Sequence, residues 1–149
     1  MHLRPLRLSV TALALVWVLQ GPAAAGTSGW RTVAALVASI KMPSTLEAKE
    51  REDSAYRVAD LIQRKAGKTA PAKLVTDLAG LMSDEDQVIR FWTAGALGNL
   101  GPQAAAAIPS LEKAFKEARA ADPNDRGRTG IHLDDAIQYA IDKISGKRK

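Results

Sequence analysis

Three places in this sequence carry residue types that could do chemistry. His132 stands beside Asp134 and Asp135, the makings of a histidine base with carboxylates near it. Gly95, Gly98 and Gly101 invite comparison with a phosphate-cradling loop, and Asp84, Glu85 and Asp86 with a calcium loop. Each fails on its surroundings. No serine elbow, second histidine or further ligand accompanies His132, so Asp134 and Asp135 read as first-turn acids of a helix. A nucleotide loop needs a preceding strand and a helix opening after it, whereas these glycines lie within and at the C-terminus of a helical pattern. The acidic cluster lacks the D-x-D-x-D-G order of ligands, and Asp84 with Gln87 has capping-box spacing instead. With no cysteine in the chain, a thiolate nucleophile, a thiolate zinc site, a disulfide and a cysteine-linked lipid are excluded. The expectation is a protein with no catalytic residue, no metal and no cofactor.

What remains is a surface that can bind. Val88, Trp92, Gly95 and Asn99 share one helical stripe, distinct from the apolar face of Ile89, Ala96, Leu97 and Leu100. Tryptophan and arginine are enriched at interface hot spots, so Trp92, with Asn99 and Val88, is the candidate contact surface. The competing role for Trp92 is packing between neighbouring helices.

The elements that would position this stripe are all helical. Val33, Leu36, Val37 and Ile40 recur at helical spacing, and Met42-Pro43-Ser44 breaks that helix. A second helix runs from about Leu46 to Lys65, with Ser44 or Thr45 as its cap and Ala55, Val58, Ala59 and Ile62 inward. Pro71 opens a third, whose wide face is Leu74, Val75, Leu78, Leu81 and Met82. The fourth spans Gln87 to Leu100 and stops at Gly101. The fifth spans Gln103 to Ala118, and Pro109 inside it should kink it. The loop Asp122–Gly130 leads to a sixth, with Leu133, Ile137, Ala140, Ile141 and Ile144 inward and a stop at Gly146. No segment alternates at period two, so the fold class is all-α, with six helices in antiparallel pairs.

Composition agrees. Hydrophobic residues make up 46% and aromatics only 5% of the 149 residues, a balance that favours helices packed through small side chains. Arg4 and Arg7 precede an apolar run from Leu8 to Leu19, which ends at Gln20-Gly21-Pro22 before Ala23-Ala24-Ala25. This is the pattern of a secretory signal cleaved after Ala25, and the run is well short of the ~20 residues that span a bilayer. The expected product is periplasmic or secreted, with no stable membrane anchor. Gly26 to Trp30 would form a flexible lead, residues 31–146 the helical domain, and Lys147-Arg148-Lys149 a basic tail. Removing Arg4 and Arg7 leaves 19 basic against 16 acidic residues, so the folded body is near neutral and nucleic acid is not an expected partner.

The helices also repeat. Aligning Arg51 with Arg90, 39 residues on, puts Ala55 on Ala94 and Val58 on Leu97. Aligning Leu97 with Ile141, 44 residues on, puts Leu100 on Ile144. Such offsets are close to the ~40–47 residue period of two-helix units. Between Leu78 and Leu111 the chain carries an acidic turn (Asp84 to Asp86), Val88 with Arg90, the run Ala96-Leu97-Gly98-Asn99-Leu100-Gly101, and Ile108-Pro109-Ser110-Leu111. This segment resembles the bacterial HEAT-like repeat over about one unit. The outer units depart from the pattern: Asp134 stands where the repeat would place arginine.

The resemblance implies a short α-solenoid of about three antiparallel helix pairs, with Arg90 meeting the acidic turn of a neighbour and the second helices lining a concave binding face. Small residues at Ala94, Gly95, Ala96 and Gly98 would let adjacent helices approach closely. The expected function is an exported, non-enzymatic module that binds an as yet unidentified protein. The alternative is an accessory or lyase-like role on a modified protein or small ligand. HEAT-like repeats occur in bilin lyases, and a related helical fold in DNA glycosylases, but both work inside cells. A third reading is a structural subunit of an envelope assembly.

Overall fold

The computed structural model describes residues 28–42, 46–121, 130 and 132–148. The proposed signal at 1–25, the cap at Ser44 or Thr45 and the loop from 122 to 129 lie outside these residues. Among these residues six α-helices follow one another: α1 (Ser28–Ile40), α2 (Ala48–Gln63), α3 (Ala72–Leu81), α4 (Gln87–Leu100), α5 (Ile108–Ala120) and α6 (Leu133–Ile144). A 3₁₀ segment, Gly101–Ala107, joins α4 to α5. Among the described residues there is no strand.

The helical period decides which faces meet. In α2 the buried residues are Ala55, Val58, Ala59 and Ile62, and in α3 Leu74, Val75, Leu78 and Leu81, with Met82 buried just beyond. Trp30, Val33, Val37 and Ile40 bury one side of α1, and Lys65 lies over the Trp30 ring at 5.6 Å. Ile137, Ala140 and Ile144 bury one side of α6. These faces combine into one core. In that core α4 packs on α2 and on α6, while α3 packs on α1, on the 3₁₀ segment and on α5. The helices aligned as equivalent in the sequence, α2, α4 and α6, are thus neighbours in space.

Two close contacts fix the spacing. Gly98 faces Ala140, where an added Cβ would lie 3.2 Å from the Ala140 Cα, so α4 and α6 touch almost backbone to backbone. Arg51 on α2 donates from Nε to the Ile40 carbonyl at 3.1 Å and from its terminal nitrogen to Asp84 at 2.6 Å. One side chain therefore joins the end of α1, the start of α2 and the turn before α4. At the other end of α4, the Gln103 amide accepts from the Ala70 N–H at 2.8 Å and donates to the Lys68 carbonyl at 3.2 Å.

Several local expectations change. The residue before α2 is Glu47, whose N–H donates to the Glu50 carboxylate at 3.1 Å. Pro71 precedes α3 instead of occupying its first turn. Asp86, not Asp84, caps α4, accepting from the Val88 N–H at 2.8 Å. Asp84 is drawn away by Arg51, and its other oxygen accepts from the Asp86 N–H at 3.0 Å. Pro109 does not kink a helix: it lies in the first turn of α5, where a missing N–H costs nothing. The tighter 3₁₀ turns before it bury Ala104 and Ala107 against the core. Gly101, at φ 58°, makes the left-handed stop that separates α4 from that segment.

A smaller electrostatic link joins α1 to α3. Asp77 pairs with Lys73 at 2.6 Å and with Lys41 at 2.9 Å. Hydrogen bonds from Lys73 and then Lys41 hold its carboxyl below the usual carboxylate range. Its folded value is depressed, so its contribution is present above the unfolded value and is lost as pH falls through the folded one. Asp77→Asn should lower stability by less than about 1 kcal/mol at neutral pH and by nothing in strong acid, measured by denaturant titration at both pH values. An equal loss at both would mean that the side chain acts by packing and not by charge.

Candidate functional site

The stripe singled out on α4 runs from the core to the surface. Val88 is only 6% exposed, so it packs inside the protein and is not available as a contact; it sits two residues after the Asp86 cap, to which its N–H donates. Trp92 is half-buried and Asn99 likewise, while Gly95 is exposed. Trp92 packs between neighbouring helices and is also partly open at the surface. Its ring meets Tyr56 of α2 edge-on at 4.9 Å and Phe91 at 5.0 Å, and it also lines an open groove between α4 and α6.

That groove has a volume of about 320 Å³ and is lined by Phe91, Trp92, Gly95, Asp135, Ala136 and Tyr139. Its walls are aromatic and aliphatic, and its surface is almost wholly apolar. Tyr139 is 47% exposed, as is Tyr56 at 52% on the far side of Trp92. Gly95 forms part of the floor. The sequence assigned Gly95 to close helix packing, but an added Cβ there would meet nothing within 4 Å. Its φ is not positive, so the backbone does not demand glycine either. Within a helix, glycine in place of alanine costs about 1 kcal/mol, and at position 95 the fold gains nothing in return. Without a side chain, Gly95 leaves that part of the groove open.

The repeat offsets would have located these walls. The 39-residue offset carries Tyr56 onto Gly95, and the 44-residue offset carries Gly95 onto Tyr139. The central helix thus has a glycine where both flanking helices carry an exposed tyrosine. Asn99, one helical turn beyond Gly95, lies outside the groove lining.

The remaining sequence candidates are structural. Gly98 makes the close approach described above, Gly101 the stop, Asp84 and Asp86 the bridge and the cap, and Pro109 the start of α5. Arg90 makes no ion pair among the described residues, and its Nε is buried without a hydrogen-bond partner. Arg51, its equivalent 39 residues earlier, makes the contact with an acidic turn that was expected of Arg90. Arg90 instead lines a second cavity of about 240 Å³ with His132, Asp134 and Glu117 among its neighbours. His132 is the residue before α6, and Asp134 and Asp135 are acids of its first turn.

Among the described residues no group of three or more histidines and acids could hold a metal ion, and no helix is long and apolar enough to cross a membrane. The fold and groove together define an all-helical protein with an aromatic-walled cleft between two neighbouring helices. No family model, curated protein or solved structure matches the chain.

Proposed function

We propose that this chain is an exported, non-enzymatic protein-interaction module, in which a short HEAT-like stack of helix pairs presents the α4–α6 groove to a partner. The observation that carries the reading is Gly95: a helix-interior glycine, costly to the helix and required by neither packing nor backbone, opens a cleft walled by Phe91, Trp92 and Tyr139. Large aromatic side chains in partly desolvated clefts are the usual anchors of protein interfaces. The neighbour order α2–α4–α6 on one side and α1–α3–α5 on the other is what stacked two-helix units would give. Export rests on the Arg4/Arg7, Leu8–Leu19 and Ala23–Ala25 pattern.

Two measurements test this together. Chain recovered from the envelope of an expressing bacterium should begin at Gly26 by N-terminal mass spectrometry; retention of residues 1–25 on a cytoplasmic chain would remove the export part. Tagged chain should capture one protein from its native envelope fraction. A Gly95→Leu variant, which fills the groove, should lose that protein while keeping its helical spectrum and a melting point no lower than that of the wild type. So should Trp92→Ala/Asn99→Ala. Capture unaffected by both variants would move the interaction elsewhere on the molecule. Turnover of a substrate that disappears on a single polar substitution would overturn the non-enzymatic reading.

A further inference from the structure

We infer that the cavity at the start of α6 binds a free α-amino acid, whose carboxylate is taken by Arg90. The inference goes beyond the interaction reading and does not involve the α4–α6 groove. It starts from the Arg90 guanidinium, which makes no ion pair or hydrogen bond among the described residues. Its Nε is the one buried side-chain polar atom among them without a hydrogen-bond partner. Such an atom is costly, and it calls for an acceptor that the fold does not supply. The equivalent residue, 39 positions earlier, shows what kind of acceptor is missing. Arg51 gives its Nε to the Ile40 carbonyl and its terminal nitrogen to the Asp84 carboxylate. Arg90 has neither.

Arg90 lines its cavity of about 240 Å³ together with Arg119, His132, Glu117, Asp134 and Asp135. Charges of both signs share this space, yet neither arginine pairs with any of the three acids. Arg119 lies over the Phe115 ring at 5.7 Å, and Glu117 reaches only Lys113, at 3.9 Å. Asp134 is half-buried and has no partner among the described residues. Opposite charges that line one cavity without meeting leave a gap, and a small molecule carrying both signs closes it.

The acids in the cavity select among ligands for Arg90. A phosphate or a dicarboxylate would bring two negative charges to a space that already holds three carboxylates. A single carboxylate matches the guanidinium through two parallel hydrogen bonds. A simple carboxylic acid would still meet the protein's acids as like charges. An α-amino acid carries an ammonium beside its carboxylate, so the same acids attract it. Size points the same way. Clefts for drug-sized ligands run to roughly 300–1,000 Å³, and this cavity lies below that range, suited to one small amino acid and not to a peptide.

The test titrates each of the common amino acids into the isotopically labelled chain, following the Arg90 Nε–H and the Asp134 amide by NMR. The expected result is a saturable shift at both positions with at least one small amino acid. For the tightest ligand, the amide (carboxylate neutralised) and the N-acetyl form (ammonium removed) should each bind roughly tenfold more weakly. Arg90→Met should keep the fold, since no protein group loses a bond, and should abolish binding. Asp134→Asn should weaken the free amino acid toward the level of its N-acetyl form. An amide that binds as tightly as the acid overturns the inference by removing the role of Arg90. An N-acetyl form that binds as tightly overturns it by removing the role of the acids. Shifts from none of the amino acids overturn it as well. Gly95→Leu should leave these shifts unchanged, so this experiment and the capture experiment succeed or fail separately.

Discussion

Arg51→Met is expected to remove about 3 kcal/mol of folding stability, a large part of the total for a domain of this size. The Arg51 and Asp84 side chains are only 14% and 11% exposed, and they meet at 2.6 Å. A pair this sheltered differs from the surface pairs Lys113–Glu117 and Arg64–Asp60, whose members are largely open to water on at least one side. Methionine keeps the length of the stem, so what is lost is the charge, the bond to the Ile40 carbonyl and the neutralisation of Asp84. The double variant Arg51→Met/Asp84→Asn should recover more than half of the loss. The asparagine is neutral, and its carbonyl can still accept from the Asp86 N–H that Asp84 holds. Urea unfolding of the wild type, both single variants and the double variant gives the coupling directly. A loss under 1 kcal/mol for Arg51→Met would show the pair to be screened, leaving the link between α2 and α4 to the apolar face alone.

The second large effect is a difference of sign between two glycines three residues apart on α4. Gly98→Val should destabilise by about 2–3 kcal/mol, because its Cβ would press on the Ala140 backbone and the branched methyls would push α4 off α6. Gly95→Ala should stabilise by up to about 1 kcal/mol, since nothing lies within 4 Å of the added methyl. Thermal unfolding of both variants, side by side, is the measurement. A stabilised Gly95→Ala protein that binds its partner less well would show that the glycine is kept for the cleft. If Gly95→Ala destabilises, the glycine has a folding role that the geometry does not contain.

Much of the fold was legible because apolar spacing and stop residues agree. The four inward positions of α2 and the whole extent of α4 follow from the 3.6-residue period and from Gly101. The fifth helix was harder to read. Ala104, Ala105, Ala106 and Ala107 suit an α-helix and a 3₁₀ turn equally well, so the sequence gives no sign that the helix begins only at Ile108. The same ambiguity turned Pro109 into an expected kink. Capping failed for a different reason. Asp84 and Asp86 are equally good caps as residue types, and the choice between them is made by Arg51, thirty-three positions away.

The candidate site was half legible. Trp92 and Gly95 fall on the stripe that borders the groove, but periodicity around one helix cannot show what the next helix brings. Phe91 lies on the border between the two faces of α4. Asp135 reads as a first-turn acid, which it is, and Tyr139 as an exposed residue of a terminal helix. Their meeting depends on the approach of α6 at Gly98, a tertiary event signalled only by the repeat register that sets Tyr56, Gly95 and Tyr139 in equivalent places.

The position of the cleft has a thermodynamic consequence. One wall belongs to α4, which packs on α2 and α6, and the other to α6, which packs on α4, α5 and the 3₁₀ segment. Separating these two helices by local opening would dismantle the cleft. An occupant bound across the two walls therefore adds its binding free energy to the closed state. Amide protons of α4 and α6 would then exchange with solvent more slowly when the cleft is occupied than when it is empty.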